Sequence, residues 1–461
     1  MQLSGDIQRL PFGLSVRYSV NLAIIYGRVG PPADEEKHYQ LALGNEFQPV
    51  QLNGLQTWLA SESALLLEYL LTPSGGWLFV VPPIGEPKVV SLMIDESQAA
   101  ALRIPAGPLT DSRLSEAMRV EDQSLLKLLS STEHNESLLR RLHLLWTMLI
   151  PESERVSLTG GNFKKLVVVP DGELSQLPFA TLVVDSSDSP QFLLDVGPPI
   201  VSAPSATVLI NLIQRPAAAK SDRKPVLSVG DPIYEVSETT SASGKMPSAT
   251  EAFYRTAGGR LTRLPFTAQE SEWVTSAFGE AGVATDKLLA YSATEQNVRQ
   301  NVEGRKIIHL ACHGLVDQQH GNFFGSLALT PAPRDSRKPD DDGFLTLPEI
   351  CDLSLRHCDI AMLSACHTNV GPYQSGEGIW GLSRGFLVAG ARRVVASNWL
   401  VDDEAAATLV SLFASQIARS HAKLTPLDHA SFLQRAQRTI RAESKWSHPG
   451  FWGTFVLIGP P

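Results

Sequence analysis

The chain has 461 residues, 43% of them hydrophobic, and a net charge of −9. That is length for two or three domains and apolar content for a sizeable core. The acidic balance, with no run of five like charges, argues against a broad nucleic-acid surface, which needs clustered lysine and arginine.

The opening MQLSGDIQRLPFGLSV lacks the basic-then-apolar order of a secretory leader, and NLAIIYG is too short to span a bilayer. All four cysteines, Cys312, Cys351, Cys358 and Cys366, fall within one stretch, unlike a disulfide framework. The expectation is a soluble protein of a reducing compartment, the cytoplasm, with no membrane and no nucleic-acid partner.

Residues 1–56 show no clear period and no 34-residue helical repeat. ESALLLEYLL is a compact apolar run. GWLFVV and KVVSLMI, separated by PPIGEP, read as two strands of a meander. Leucines at helical spacing over 123–150 predict a helix ending at Pro151. KKLVVV reads as a buried strand, followed by a PDG turn. Residues 214–225 read as a linker, so the expected segments are 1–56, 57–213 and 214–461.

From 226 onward strands and helices alternate. PVLSVGDP, RKIIHLACHG, DIAMLSACHT, RRVVASNW and GTFVLIG read as strands. TAQESEWVTSAFG and SATEQNVRQNV read as helices opened by the capping boxes Thr267-x-x-Glu270 and Ser292-x-x-Glu295. GIWGLSRGFLVAGA, DDEAAATLVSLFASQIA and DHASFLQRAQRTIRAE read as further helices. The alternation predicts an α/β fold with a mostly parallel central sheet covered on both faces. Residues 235–260 and 331–343 read as exposed loops. Their Lys245, Arg255, Arg334, Arg337 and Lys338 are candidate sites of activating cleavage. Asp340, Asp341 and Asp342 read as a solvated turn in preference to a calcium site.

In parallel sheets, sites form beyond the carboxyl ends of strands. Two strands end in reactive residues: one in Cys312-His313-Gly314, the other in Ala365-Cys366-His367. A histidine about 50 residues ahead of a cysteine nucleophile is the caspase-type order. An ordinary thiol is mostly protonated at neutral pH, so the cysteine needs a base. His313 is the candidate base and Cys366 the candidate nucleophile. The N–H groups of Gly314 and Cys366 are the candidate oxyanion hole, since glycine lets a carbonyl approach its backbone.

Cys312 is expected to be a small core residue, His309 a buried structural histidine mid-sheet, and His320 and His367 exposed or accessory. No cysteine pair has zinc-ligand spacing, so no metal is expected. Gly381-Leu382-Ser383-Arg384-Gly385 matches G-x-S-x-G, but it lies in a helical pattern with no strand before it. Close helix packing is the better reading of its glycines.

HLACHG, LSACHT, GEGIWGLSRGFLVAGARRVVASNWLVDDEAA and HPGFWGTFVLIG together resemble the CHAT-domain peptidases, cysteine proteases of the clan that holds caspases and separases. VVVPDGELSQLPFATL, PSATVL and the WLFVV…VVSLMI meander resemble the first half of that domain. The resemblance runs from about residue 57 to the end. It implies a caspase-like α/β/α sandwich preceded by a degenerate caspase-like half without catalytic residues. It also implies a His313/Cys366 dyad, an endopeptidase acting on protein substrates without a cofactor, and control by a partner or by activation. Trp399-Leu400-Val401-Asp402-Asp403 is similar to a separase segment whose aspartate binds a substrate arginine. That likeness makes Asp403 a candidate substrate-binding carboxylate, beside Asp402 and Glu377. Asp402 and Asp403 also suit a helix start. A catalytically silent scaffold of the same fold is the alternative.

Overall fold

The computed structural model describes residues 50–461 apart from 121–122, 134, 188, 217, 219, 235–260, 318–321, 333–340, 372, 375–377, 380 and 401. Glu377, His320, Asp340 and the basic loop residues named above lie outside the described residues, as does most of segment 1–56.

The apolar runs become strands. Ahead of them, helix α1 (Leu52–Glu62) leads into β1 (Ala64–Thr72). β2 (Gly75–Val81), β3 (Lys88–Ile94) and β4 (Gly107–Pro108) complete an antiparallel meander. The leucine-rich stretch forms two helices, Leu125–Ser131 and α2 (Glu136–Leu149). Thr132 between them takes a left-handed φ of 58°, and Asn135 caps α2 through Leu138 N–H, so the single helix expected over 123–150 is broken there. β5 (Lys165–Val169), β6 (Ile200–Ser202) and α3 (Ala206–Gln214) follow.

The second part contributes β7 (Val226–Gly230), α4 (Pro265–Glu280), β8 (Thr285–Leu289), α5 (Glu295–Asn301) and β9 (Ile307–Ala311). β10 (Ile360–Ser364), α6 (Leu382–Ala389), β11 (Val394–Ser397), α7 (Asp403–Lys423), α8 (His429–Ala442) and β12 (Phe455–Ile458) complete it.

All twelve strands join in one sheet, in the order β8-β7-β9-β10-β11-β12-β6-β5-β1-β2-β3-β4. β8 to β11 are mutually parallel, as are β12, β6, β5 and β1. The direction reverses at the antiparallel β11–β12 seam. The last strand therefore leaves its own half and pairs with β6, through Ser202 and Ile458, welding the two parts into one sheet.

Side-chain alternation explains the layers. Leu65, Leu67, Tyr69 and Leu71 of β1 pack on one face with Leu142, Leu145 and Leu149 of α2. Ala64 and Leu66 pack on the other with Leu55 and Leu59 of α1. Further along, Ile360 and Met362 of β10 join a core with α7, whereas Ala361 and Leu363 join one with α6. The result is the expected α/β/α sandwich with a mostly parallel sheet. Among the described residues, no helix is long and apolar enough to cross a membrane.

Both expected capping boxes are corrected. α4 starts at Pro265, ahead of Thr267, and Thr267 donates to Leu264 O while accepting Asp231 N–H. Proline at the first turn sets the start, because its missing N–H needs no partner there. α5 is capped by Thr294, and Ser292 instead closes the preceding 3-10 turn. Asp341 and Asp342 are buried, not solvated; they accept the N–H groups of Gln296 and Phe344. Among the described residues no cluster of three or more potential ligands could hold a metal.

Candidate active site

β9 and β10 lie side by side, with Ala311 opposite Ser364, so both end at one level. The strand expected over 305–314 divides here. β9 stops at Ala311, and Cys312 N–H donates to Ser364 O at 3.3 Å. His313–Leu315 then joins a separate three-stranded antiparallel sheet with Ser326–Ala328 and Phe344–Thr346. This change of sheet turns His313 away from the main sheet and leaves it half-buried.

The two strand ends meet at Gly314 and Cys366. A Cβ built on Gly314 would lie 2.0 Å from the Cys366 carbonyl oxygen and 3.3 Å from its amide nitrogen. Only a glycine fits there. Cys366 is half-buried and in no disulfide, and it is followed by His367 with a left-handed φ of 56°. Such a φ disfavours any residue with a Cβ, so a sharp turn follows the cysteine. His367 is half-buried; desolvation pulls its pKa down, partly offset by a backbone hydrogen bond with Asn398.

His313 is held on three sides. Its N–H donates to the Tyr234 hydroxyl at 3.2 Å, and the Tyr234 ring packs against the imidazole at 5.1 Å between centroids. Its Nε2 lies 2.7 Å from Thr262 O. A carbonyl only accepts, so Nε2 carries the proton and the lone pair of the neutral ring sits on Nδ1. Thr262 is itself fixed through its neighbour. Arg263 makes a two-pronged contact with Asp231, Nε to Oδ1 and Nη2 to Oδ2, both 2.6 Å.

Beneath the site lies a buried polar chain. His309, 0% exposed, contacts Ser228 Oγ through Nδ1 and Glu270 Oε1 through Nε2, both at 2.8 Å. Glu270 Oε2 accepts the Ser364 hydroxyl at 3.0 Å. His309 is thus the buried histidine expected mid-sheet. Cys312 is buried, and desolvation first, then the Cys366 and Glu270 charges, push its thiol well up. It remains a neutral thiol under the site.

The acidic candidates separate. Asp402 caps α7 by accepting Ala405 N–H at 2.9 Å. Asp403, in the first turn of α7, accepts Phe266 N–H at the start of α4, at 2.9 Å. Desolvation raises the Asp403 carboxyl pKa, with Glu270 and Asp402 adding to it; the Phe266 hydrogen bond and His313 pull it back down. Asp403 therefore stands within electrostatic reach of His313. Ser383 of the G-x-S-x-G match is buried and donates to Asn369 Oδ1 at 2.9 Å, while Gly385 packs against Leu347 and Ile350. Close helix packing, not a serine nucleophile, accounts for that stretch. Ile379 lies ahead of α6, in a two-residue strand.

Sequence reasoning missed Tyr234, Thr262, Glu270, Asn369 and Asn398. Tyr234 left one signal, an aromatic just past the end of β7. Thr262 acts through its carbonyl, which any residue has, so no residue type marks it.

A family model described as CHAT domain matches residues 139–460. Tetratricopeptide repeat protein 28 of Homo sapiens is 25% identical over 329 residues, covering 65% of this chain and 12% of that protein; the Mus musculus protein gives the same figures. The chain thus spans a small part of the curated relatives it matches. Among solved structures, the Arg specific cysteine proteinase gingipain R (RgpB), from Porphyromonas gingivalis, aligns at a TM-score of 0.44 and 10% identity, over 68% of each chain. The Saccharomyces cerevisiae separase in its complex with securin aligns at 0.44 and 11%, over 89% of this chain and 31% of that one.

Proposed function

The chain belongs to the CHAT domain family, and from that premise we propose that it is a cysteine endopeptidase. The observation that carries this reading is the meeting of two strand ends. They set Cys366 against Gly314, next to a histidine whose Nε2 is engaged by the Thr262 carbonyl.

In this mechanism His313 Nδ1 takes the Cys366 proton as sulfur attacks the scissile carbonyl carbon. The C–S bond forms, and the carbonyl electron pair moves to oxygen. The N–H groups of Gly314 and Cys366 receive that oxyanion. The imidazolium gives its proton to the leaving amine as the C–N bond breaks. Water, deprotonated by the same nitrogen, then releases the acid and restores the thiol. The Thr262 carbonyl keeps the ring oriented through its contact with Nε2. No metal or organic cofactor takes part.

The substrate is a protein or peptide. Asp403 is the proposed carboxylate for a basic substrate side chain, by a charge-assisted contact. Asp402 serves mainly as a helix cap, and Glu377 is a further candidate carboxylate. A regulatory protein partner fits the family reading.

The test maps the cleavage of a diverse peptide library by mass spectrometry. The wild type is compared with Cys366→Ala and His313→Ala, each checked for a native melting curve. Cuts made by wild type and lost in both variants are expected. Cleavage retained by either purified variant overturns the proposal.

A further inference from the structure

Cys366 lies in a turn that a non-glycine φ at His367 makes unfavourable on its own, so outside contacts must hold it. Some come from the next strand. Asn369 N–H donates to Ser397 O at 2.8 Å, and Thr368 Oγ1 accepts Ser397 N–H at 2.9 Å. Others come from the first part of the chain. Asn369 Nδ2 donates to Asn398 Oδ1 at 2.8 Å and to Ser175 O at 3.3 Å, and Asn398 Nδ2 donates to Gln176 O at 3.2 Å. Ser175 and Gln176 end the 3-10 turn Gly172–Gln176 that follows β5. Carbonyls at such an end have no partner within the turn.

We propose that Asn369 and Asn398 are positioning residues. Together they clasp the turn Gly172–Gln176 of the first part and so fix the Cys366 turn of the second. The inference rests on the nucleophile reading of Cys366. The residue type matters: an asparagine amide both accepts and donates, so the pair can bond to each other and still offer N–H groups to two successive carbonyls. Aspartate would lose the donors, and leucine would lose both functions. Asn398 is 1% exposed, so water does not replace a lost partner at low cost. The remaining Asn369 oxygen accepts from Ser383, which ties α6 into the same cluster.

The clasped turn is itself anchored. Asp171 Oδ1 accepts Gly172 N–H at 3.0 Å, and its Oδ2 accepts Leu71 N–H of β1 at 2.7 Å. A path of hydrogen bonds and main chain thus runs from β1 through Asp171 and the turn to the two asparagines. The first part is then a working component of the site, and anything that shifts its turn alters the cysteine.

The test measures the rate at which iodoacetamide alkylates Cys366 in the full chain across pH, site by site by mass spectrometry. The buried Cys312 and Cys358 serve as internal references. In the wild type the reaction is expected at pH values where an ordinary thiol, of pKa about 8.5, reacts slowly, and His313→Ala is expected to abolish this. Asn369→Ala and Asn398→Ala are each expected to slow alkylation at pH 7 by about tenfold or more and to move the profile toward that of an ordinary thiol. Asp171→Ala, which removes the anchors of the turn on Leu71 and Gly172, is expected to act in the same direction and decides the matter if an asparagine variant does not fold. Folded variants that react at the wild-type rate overturn the clasp. A wild-type profile indifferent to His313→Ala overturns the nucleophile reading, and the clasp's role in catalysis with it.

Discussion

Gly314 and Cys366 touch through their main chains, with room between the Gly314 Cα and the Cys366 carbonyl for a hydrogen but not a methyl group. The contact joins the histidine-bearing strand of the side sheet to the cysteine turn of the main sheet. Gly314→Ala must push one backbone off the other, and a misplacement near 1 Å costs about a hundredfold in rate. The expected outcome is a loss of that size in Cys366 alkylation and in cleavage. An active Gly314→Ala variant would show that the two strand ends are not coupled.

Arg263 and Asp231 hold the segment that delivers the Thr262 carbonyl. Arg263 is 65% exposed but Asp231 only 8%, so removing the arginine strands a buried carboxylate. Arg263→Ala should therefore lower the melting temperature, and it should also lower the activity of the folded protein by about tenfold, because the Thr262 carbonyl is no longer held against His313. A kinetic comparison beside a thermal melt separates the two effects.

His309 and Glu270 belong to a chain of buried hydrogen bonds whose members have no access to water. Replacing either one by leucine strands the other, at about 2–4 kcal/mol. Urea unfolding of both single variants and the double variant should show that the double costs less than the two singles added, because the second substitution removes the stranded partner.

Glu68 of β1 is the clearest source of pH-dependent stability. Burial, with Asp171 adding to it, raises its pKa from 4.5 to about 7. The folded state therefore binds this proton more tightly than the unfolded state. The stability it contributes is full below about pH 4.5 and falls as pH rises toward 7, by an amount on the order of 1–3 kcal/mol. Glu68→Gln should match wild type near pH 4.5 and melt higher at pH 8. Equal melting curves at pH 8 would contradict the raised carboxyl pKa.

Much of this was legible in residue patterns, and the exceptions have physical causes. RKIIHLA and DIAMLS were readable as strands because continuous apolar runs suit strands buried on both faces. The boundary at Cys312 was not, since a switch of sheet leaves the residue types unchanged. Thr267 and Glu270 match a capping box in spacing, yet Pro265 starts α4 earlier and the core takes the glutamate. The leucine period over 123–150 continues through a left-handed Thr132, because both helices bury leucines against the same face of the sheet.

Residue identity was enough to name His313, Gly314 and Cys366 as candidates, because activating a thiol needs a particular side-chain chemistry at strand ends, and few residue types supply it. Folding alone brought in the Thr262 carbonyl, the Asn369–Asn398 clasp on Ser175 and Gln176, and the seam that lets β12 join the two parts. Those contacts run through main-chain groups, which every residue carries, between segments far apart in the chain. No spacing or composition encodes such a meeting; it exists only once the sheet has closed around it.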